Sequence, residues 1–202
     1  GLRFGDAEAA LAEGHDQLLA INRTIEAIPQ GQNRTLLAMP TGPVKTCTPV
    51  QTIERQLALL SKTAKPGCLI MDVGSTKKDI VSLAQKILPK NIHFVGCHPI
   101  AGTEKSGAKA SIPGLFTNKK CLITPTKQTN KKALGLACKF WKNVGSNVTL
   151  LKPEEHDRIL AATSHFPQMV SWLLLDSVVG SIPSDKIKKF SGSGFESMTR
   201  LA

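Results

Sequence analysis

The sequence contains no tyrosine, and aromatic residues make up only 4% of its 202 positions. Ile, Leu, Val and Ala must therefore fill its core, and the stacking groups that single-stranded nucleic-acid binders set between their charges are scarce. Cysteines are few and odd in number: Cys47, Cys68, Cys97, Cys121 and Cys138. They form no Cys-x-x-Cys pair and no Cys/His cluster at ligand spacing, so neither a disulfide framework nor a metal site is expected. Thiols scattered in and beside apolar runs read instead as small core residues in a reducing, cytoplasmic compartment. Long apolar runs are missing as well. The most apolar one, Met169 to Val179, is interrupted by Ser171, Asp176 and Ser177 and is too short to cross a bilayer. No secretory signal opens the chain, so a soluble protein with no membrane partner is expected.

Acids are the remaining scarcity. Asp and Glu number 15 against 26 Lys and Arg, a formal charge of +11 at pH 7. The lysines fall in separated pairs: Lys77-Lys78, Lys119-Lys120, Lys131-Lys132 and Lys188-Lys189. That pattern suits solvated helix faces and a general attraction for anionic small molecules. A nucleic-acid partner would want a basic stripe interleaved with aromatics; it is the weaker alternative and is not expected.

What the chain does have is alternation. Short, mostly apolar β-like runs occur at Thr35–Met39, Cys68–Val73, His93–Cys97, Lys120–Thr124 and Val148–Leu151. Their composition predicts strands covered on both faces. Between them, Val50, Ile53, Leu57 and Leu60 step at helical spacing, as do Ile80, Leu83, Ala84 and Ile87, and then Leu134, Ala137, Trp141 and Val144. Strand-helix-strand repetition predicts an open α/β sheet with crossover helices. The link between the third and fourth runs is longer and rich in Gly and Pro, and reads as mostly loop. After Lys152 the pattern changes: Pro153 suits a first helical turn, followed by Glu154, Glu155 and Asp157. Helix-like sequence, interrupted at Pro167, then runs to about Gly180 with no further strand signal. Two domains are expected, an α/β part over 1–152 and an all-helical part over 153–202. A dinucleotide-binding sheet normally opens with a strand and a Gly-x-Gly-x-x-Gly loop. No such loop occurs in this sequence; the GSG at Gly192–Gly194 lacks both the strand and the third glycine.

The stretch VGCHPIAGTEKSG, from Val95 to Gly107, places His98 directly after a strand-like run. Ligands in open α/β sheets bind at the carboxyl ends of strands. On the residues alone His98 is either a general base or a strand-end histidine held by a backbone hydrogen bond. Ser75, in DVGST, reads as the N-cap of a helix beginning near Thr76. Arg200 reads as an ordinary surface charge or an anion anchor, His165 as packing or site, and His156 as a structural residue of a first helical turn.

DVGSTKKDIV (Asp72–Val81), FVGCHPIAGTEKSG (Phe94–Gly107), PEEHDRILAATSHFPQ (Pro153–Gln168) and GSGFESMTRLA (Gly192–Ala202) occur in one order. Together they closely resemble the prephenate/arogenate dehydrogenase family of tyrosine biosynthesis, over most of the chain from Thr35 onward. The resemblance implies a Rossmann-type, mostly parallel open sheet that binds NAD or NADP, followed by a helical domain that dimerises. It also implies a chain cut at both ends, without the first strand, the glycine-rich loop and the later dimerisation helices. The implied activity is oxidation of prephenate or arogenate with loss of carbon dioxide. In it, His98 is the catalytic proton acceptor, and Ser75 orients the nicotinamide and the substrate hydroxyl. Thr103 contacts substrate, and Arg200 binds a substrate carboxylate through its guanidinium fork. Pro40, Thr41 and Gly74 approach the cofactor along with Ser75. Gln168 stands where many members carry histidine, near the substrate side chain, and leaves prephenate and arogenate both open. An inactive fragment or interaction module of the same fold is the alternative. A homodimer is implied for the full-length protein.

Overall fold

The computed structural model describes residues 36–37, 49–101 and 114–200. Among these residues five strands form one sheet in the order β1-β2-β3-β4-β5: β1 (Leu36–Leu37), β2 (Leu69–Asp72), β3 (His93–Ile100), β4 (Lys120–Thr124) and β5 (Asn147–Leu150). β1, β2 and β3 are mutually parallel, β4 runs antiparallel to β3, and β5 is parallel to β4. Helices α1 (Pro49–Thr63), α2 (Lys78–Ile87) and α3 (Lys131–Asn143) fill the three parallel crossovers. The expected mostly parallel sheet is thus present, with one antiparallel pair inserted.

The two sheet faces bury different sets of residues because side chains alternate along a strand. Met71, Val95, Cys97, Cys121 and Ile123 point to one face and pack with Ala133, Ala137 and Trp141 of α3. Ile70 belongs to the second cluster, with Leu60 of α1 and Ile92, against which Phe94 packs. Of the helical stripes expected from spacing, Leu57 and Leu60 in α1, Ile80 and Ala84 in α2, and Ala137 and Trp141 in α3 are buried, while Ile53, Leu83, Ile87, Leu134 and Val144 are half-buried. Asn130 caps α3, its Oδ1 accepting from the backbone N–H groups of Lys132 at 3.0 Å and Ala133 at 3.1 Å. Such a cap contributes about 1 kcal/mol.

By compactness the chain divides into residues 1–156 and residues 157–202. From Pro153 onward the described residues form helices joined by short connections, with no strand among them. α4 (Pro153–Leu160) passes through a π-helical turn (Ala161–His165) into α5 (Phe166–Val179), and α6 (Ser184–Phe190) and α7 (Ser193–Thr199) follow. The interruption expected at Pro167 is therefore a widened turn rather than a break. Phe166 donates its N–H to the carbonyl of Ala161, five residues back, and Pro167, which has no N–H, sits in the first turn of α5. No helix among the described residues is long and apolar enough to cross a membrane.

Candidate active site

The carboxyl edge of the parallel strands is organised around one buried carboxylate. Asp72, the last residue of β2, is 2% exposed, and Lys77, five residues on, is fully buried. The Lys77 ammonium donates to Asp72 Oδ2 as a buried ion pair. The same oxygen accepts the N–H of Gly74 at 3.0 Å, and Oδ1 accepts the N–H of Cys97, in β3, at 3.2 Å. Burial pushes the Asp72 carboxyl above the usual carboxylate range, while the Lys77 charge and these hydrogen bonds push back. One side chain thus ties the loop of residues 73–77 to the neighbouring strand. A Cβ on Gly74 would lie 3.2 Å from Asp72 Oδ2, so glycine lets that loop close over the carboxylate.

This arrangement corrects the reading of Ser75 as a helix N-cap. The helix starts at Lys78, with Lys77 in the N-cap position and no side-chain cap bond. While Lys77 reaches back to Asp72, residues 73–77 wrap around the carboxylate, and Ser75 lies half-buried in that loop.

His98 also sits differently from the expectation that its strand ends at Cys97. β3 runs on to Ile100, and His98 pairs with Leu122 of β4 inside an antiparallel ladder. The last residue of β3 paired with β2 is Gly96, opposite Asp72. His98 therefore lies two residues past the end of parallel pairing, at the same edge as Ser75, three residues past Asp72. Pro99 does not end the strand. The Cys97 N–H points toward β2, and by the two-residue alternation so does the Pro99 nitrogen, on the side where β2 has already ended. No ladder bond is lost there.

The half-buried ring of His98 meets a second imidazole. Its Nδ1 lies 2.9 Å from Nε2 of His156, with ring centroids 5.1 Å apart. His156 is fully buried, in the first turns of α4. Sequence reasoning set His156 aside as structural. The signal that could have found it is spacing: Pro153, His156 and Leu160 are the buried residues of α4, a polar ring on the inward stripe. The thiols around this edge are not nucleophiles. Burial raises the Cys97 thiol strongly and pushes Cys121 up to about 12.

Gln168 is half-buried in α5, and Arg200 is exposed directly after α7, both within residues 157–202. Thr103, Pro40 and Thr41 lie outside the described residues. Among the described residues no group of three or more His, Cys, Asp or Glu could hold a metal ion.

Comparison with known proteins adds sequence-wide matches. Residues 27–150 match the family model described as the nucleotide-binding domain of prephenate dehydrogenase, and residues 152–202 the one described as its dimerization domain. The chain is 36% identical over 155 residues to the prephenate dehydrogenase of Bacillus subtilis, covering 74% of this chain and 42% of that protein. It is 32% identical over 158 residues to the cyclohexadienyl dehydrogenase of Zymomonas mobilis, covering 77% and 54%. It therefore spans about half the length of these curated relatives. Among solved structures it resembles the prephenate dehydrogenase of Aquifex aeolicus in complex with hydroxyphenyl propionate and NAD+. The TM-score is 0.74 and the identity 31%, covering 94% of this chain and 66% of that one.

Proposed function

Since this chain belongs to the prephenate dehydrogenase family, we propose that it takes part in the oxidative decarboxylation of prephenate or arogenate, with hydride transfer to NAD or NADP, in tyrosine biosynthesis. The observation that carries this reading is His98, a half-buried imidazole just past the parallel ladder and beside the Asp72-pinned loop.

Gly74 and Ser75 fit the nicotinamide end of a dinucleotide, because the loop that carries them is fixed by Asp72 at the edge where ligands bind. When bound, the cofactor supplies the hydride acceptor. The chain's own part is positioning and proton handling. His98 takes the proton of the ring hydroxyl as that oxygen becomes a carbonyl. Loss of carbon dioxide leaves its electron pair in the ring, which becomes a phenolate, and the proton held on His98 returns to that oxygen. Ser75 orients the hydroxyl, Thr103 and Gln168 contact the substrate, and Arg200 binds a carboxylate. Pro40 and Thr41 join Gly74 and Ser75 against the cofactor. Residues 1–152 carry the cofactor side, and residues 153–202 begin the substrate and dimerisation unit.

A cytoplasmic homodimer completes the proposal. The described cysteines Cys68, Cys97, Cys121 and Cys138 are free thiols. Phe166, Met169, Leu173, Val179 and Phe190 leave large apolar side chains exposed in the part matching a dimerization domain. The test is absorbance of reduced nicotinamide when the protein meets NAD or NADP with prephenate, then with arogenate. A rise that His98→Asn abolishes supports the assignment; no rise with either substrate, in a chain whose circular dichroism shows it folded, sinks it.

A further inference from the structure

We propose that His156 is a positioning residue that holds His98 in its Nδ1–H tautomer; this rests on the reading of His98 as a proton acceptor. Two neutral imidazole nitrogens 2.9 Å apart can hold only one proton between them. If His156 Nε2 carries it, His98 Nδ1 accepts and His98 Nε2 must be the protonated nitrogen, with no lone pair for a substrate proton. If His98 Nδ1 carries it, His98 Nε2 has the lone pair, and His156 Nε2 is the acceptor.

Only the second arrangement survives the reaction. When His98 gains a proton at Nε2, its Nδ1–H still points at the His156 lone pair, and the bond becomes charge-assisted. In the first arrangement the new imidazolium would bring a donor against a donor. His156 is suited to the task by its burial and its element. It has no exposed surface through which to swing away, and it lies on the inward stripe of α4 rather than on a loop. Imidazole tautomers are commonly set in this way, by the partner of the second ring nitrogen.

The experiment reads the tautomers directly. In long-range 1H–15N correlation spectra of the 15N-histidine-labelled 202-residue chain, each of the five histidines is assigned by single substitution. The expected result at mildly alkaline pH is a protonated Nδ1 on His98 and an unprotonated Nε2 on His156. His156→Phe should move His98 toward the Nε2–H form, while His156→Gln, whose amide oxygen can still accept, should keep it. In the NADH assay, His156→Phe should lower kcat by roughly 10- to 100-fold with KM little changed, and His156→Gln should recover most of that loss. A wild-type spectrum with His98 protonated at Nε2, or a His98 tautomer indifferent to His156→Phe, overturns the proposal. The wild-type spectrum decides even if the phenylalanine variant does not fold. It also decides if the chain turns over no substrate, so failure of this inference is separable from failure of the proposed function.

Discussion

Asp72 and Lys77 show how one residue pair can hold a site it does not itself form. Both are almost wholly withdrawn from water, and Asp72 also takes the N–H groups of Gly74 and Cys97. Breaking a buried pair costs more than the pair contributes, because the orphaned charge stays buried. Asp72→Asn should therefore lower stability by about 3–5 kcal/mol in urea denaturation. The double variant Asp72→Asn/Lys77→Met should recover part of that loss; a double variant no more stable than the single would show that the ion pair is not the cause. The DVGSTKK sequence displayed both residues. Their pairing could not be read from it, since a Lys two residues after a Ser reads by default as a solvated charge.

At the scale of elements, β3 and α2 approach each other without room for a side chain. A Cβ on Gly96 would lie 2.5 Å from Thr124 Oγ1 and 2.8 Å from Val81 Cγ2. Gly96→Ala should cost about 1–3 kcal/mol, the usual range for overpacking, and shortening Val81 to Ala in that background should relieve part of it. Thermal melts of the three proteins check this; an unchanged melting temperature in Gly96→Ala would refute the close contact. The same strand explains the misplaced boundary. Parallel pairing of β3 to β2 ends at Gly96, but antiparallel pairing to β4 carries the strand on through His98 to Ile100. Partner strands are set by topology, which local sequence does not contain. The helices were legible because their apolar stripes are periodic, and Ala137 and Trp141 are both buried where spacing put them.

For the molecule as a whole, two buried thiols link the core to pH. Cys121 ionises near 12 in the fold against an ordinary 9.0, and burial raises Cys97 as well. Above pH 9 the unfolded chain loses these protons while the folded chain keeps them. Stability is thus intact below that pH and falls as pH rises, by up to about 1.4 kcal/mol per pH unit for each thiol. Denaturation midpoints from pH 8 to 10.5 should show that decline, and Cys97→Ala/Cys121→Ala should flatten it; an equal slope in both proteins would dissociate the thiols from the effect. The sequence by itself determined the order of strands and helices, the inward stripes, the switch to helix after Lys152 and the family, because these rest on composition, periodicity and ordered motifs. Only the tertiary structure decided that Lys77 is buried on Asp72, that β3 extends past His98, and that His156 faces His98 from 58 positions away. Each of these depends on residues distant in the chain or on a charge withdrawn from water, and local pattern specifies neither.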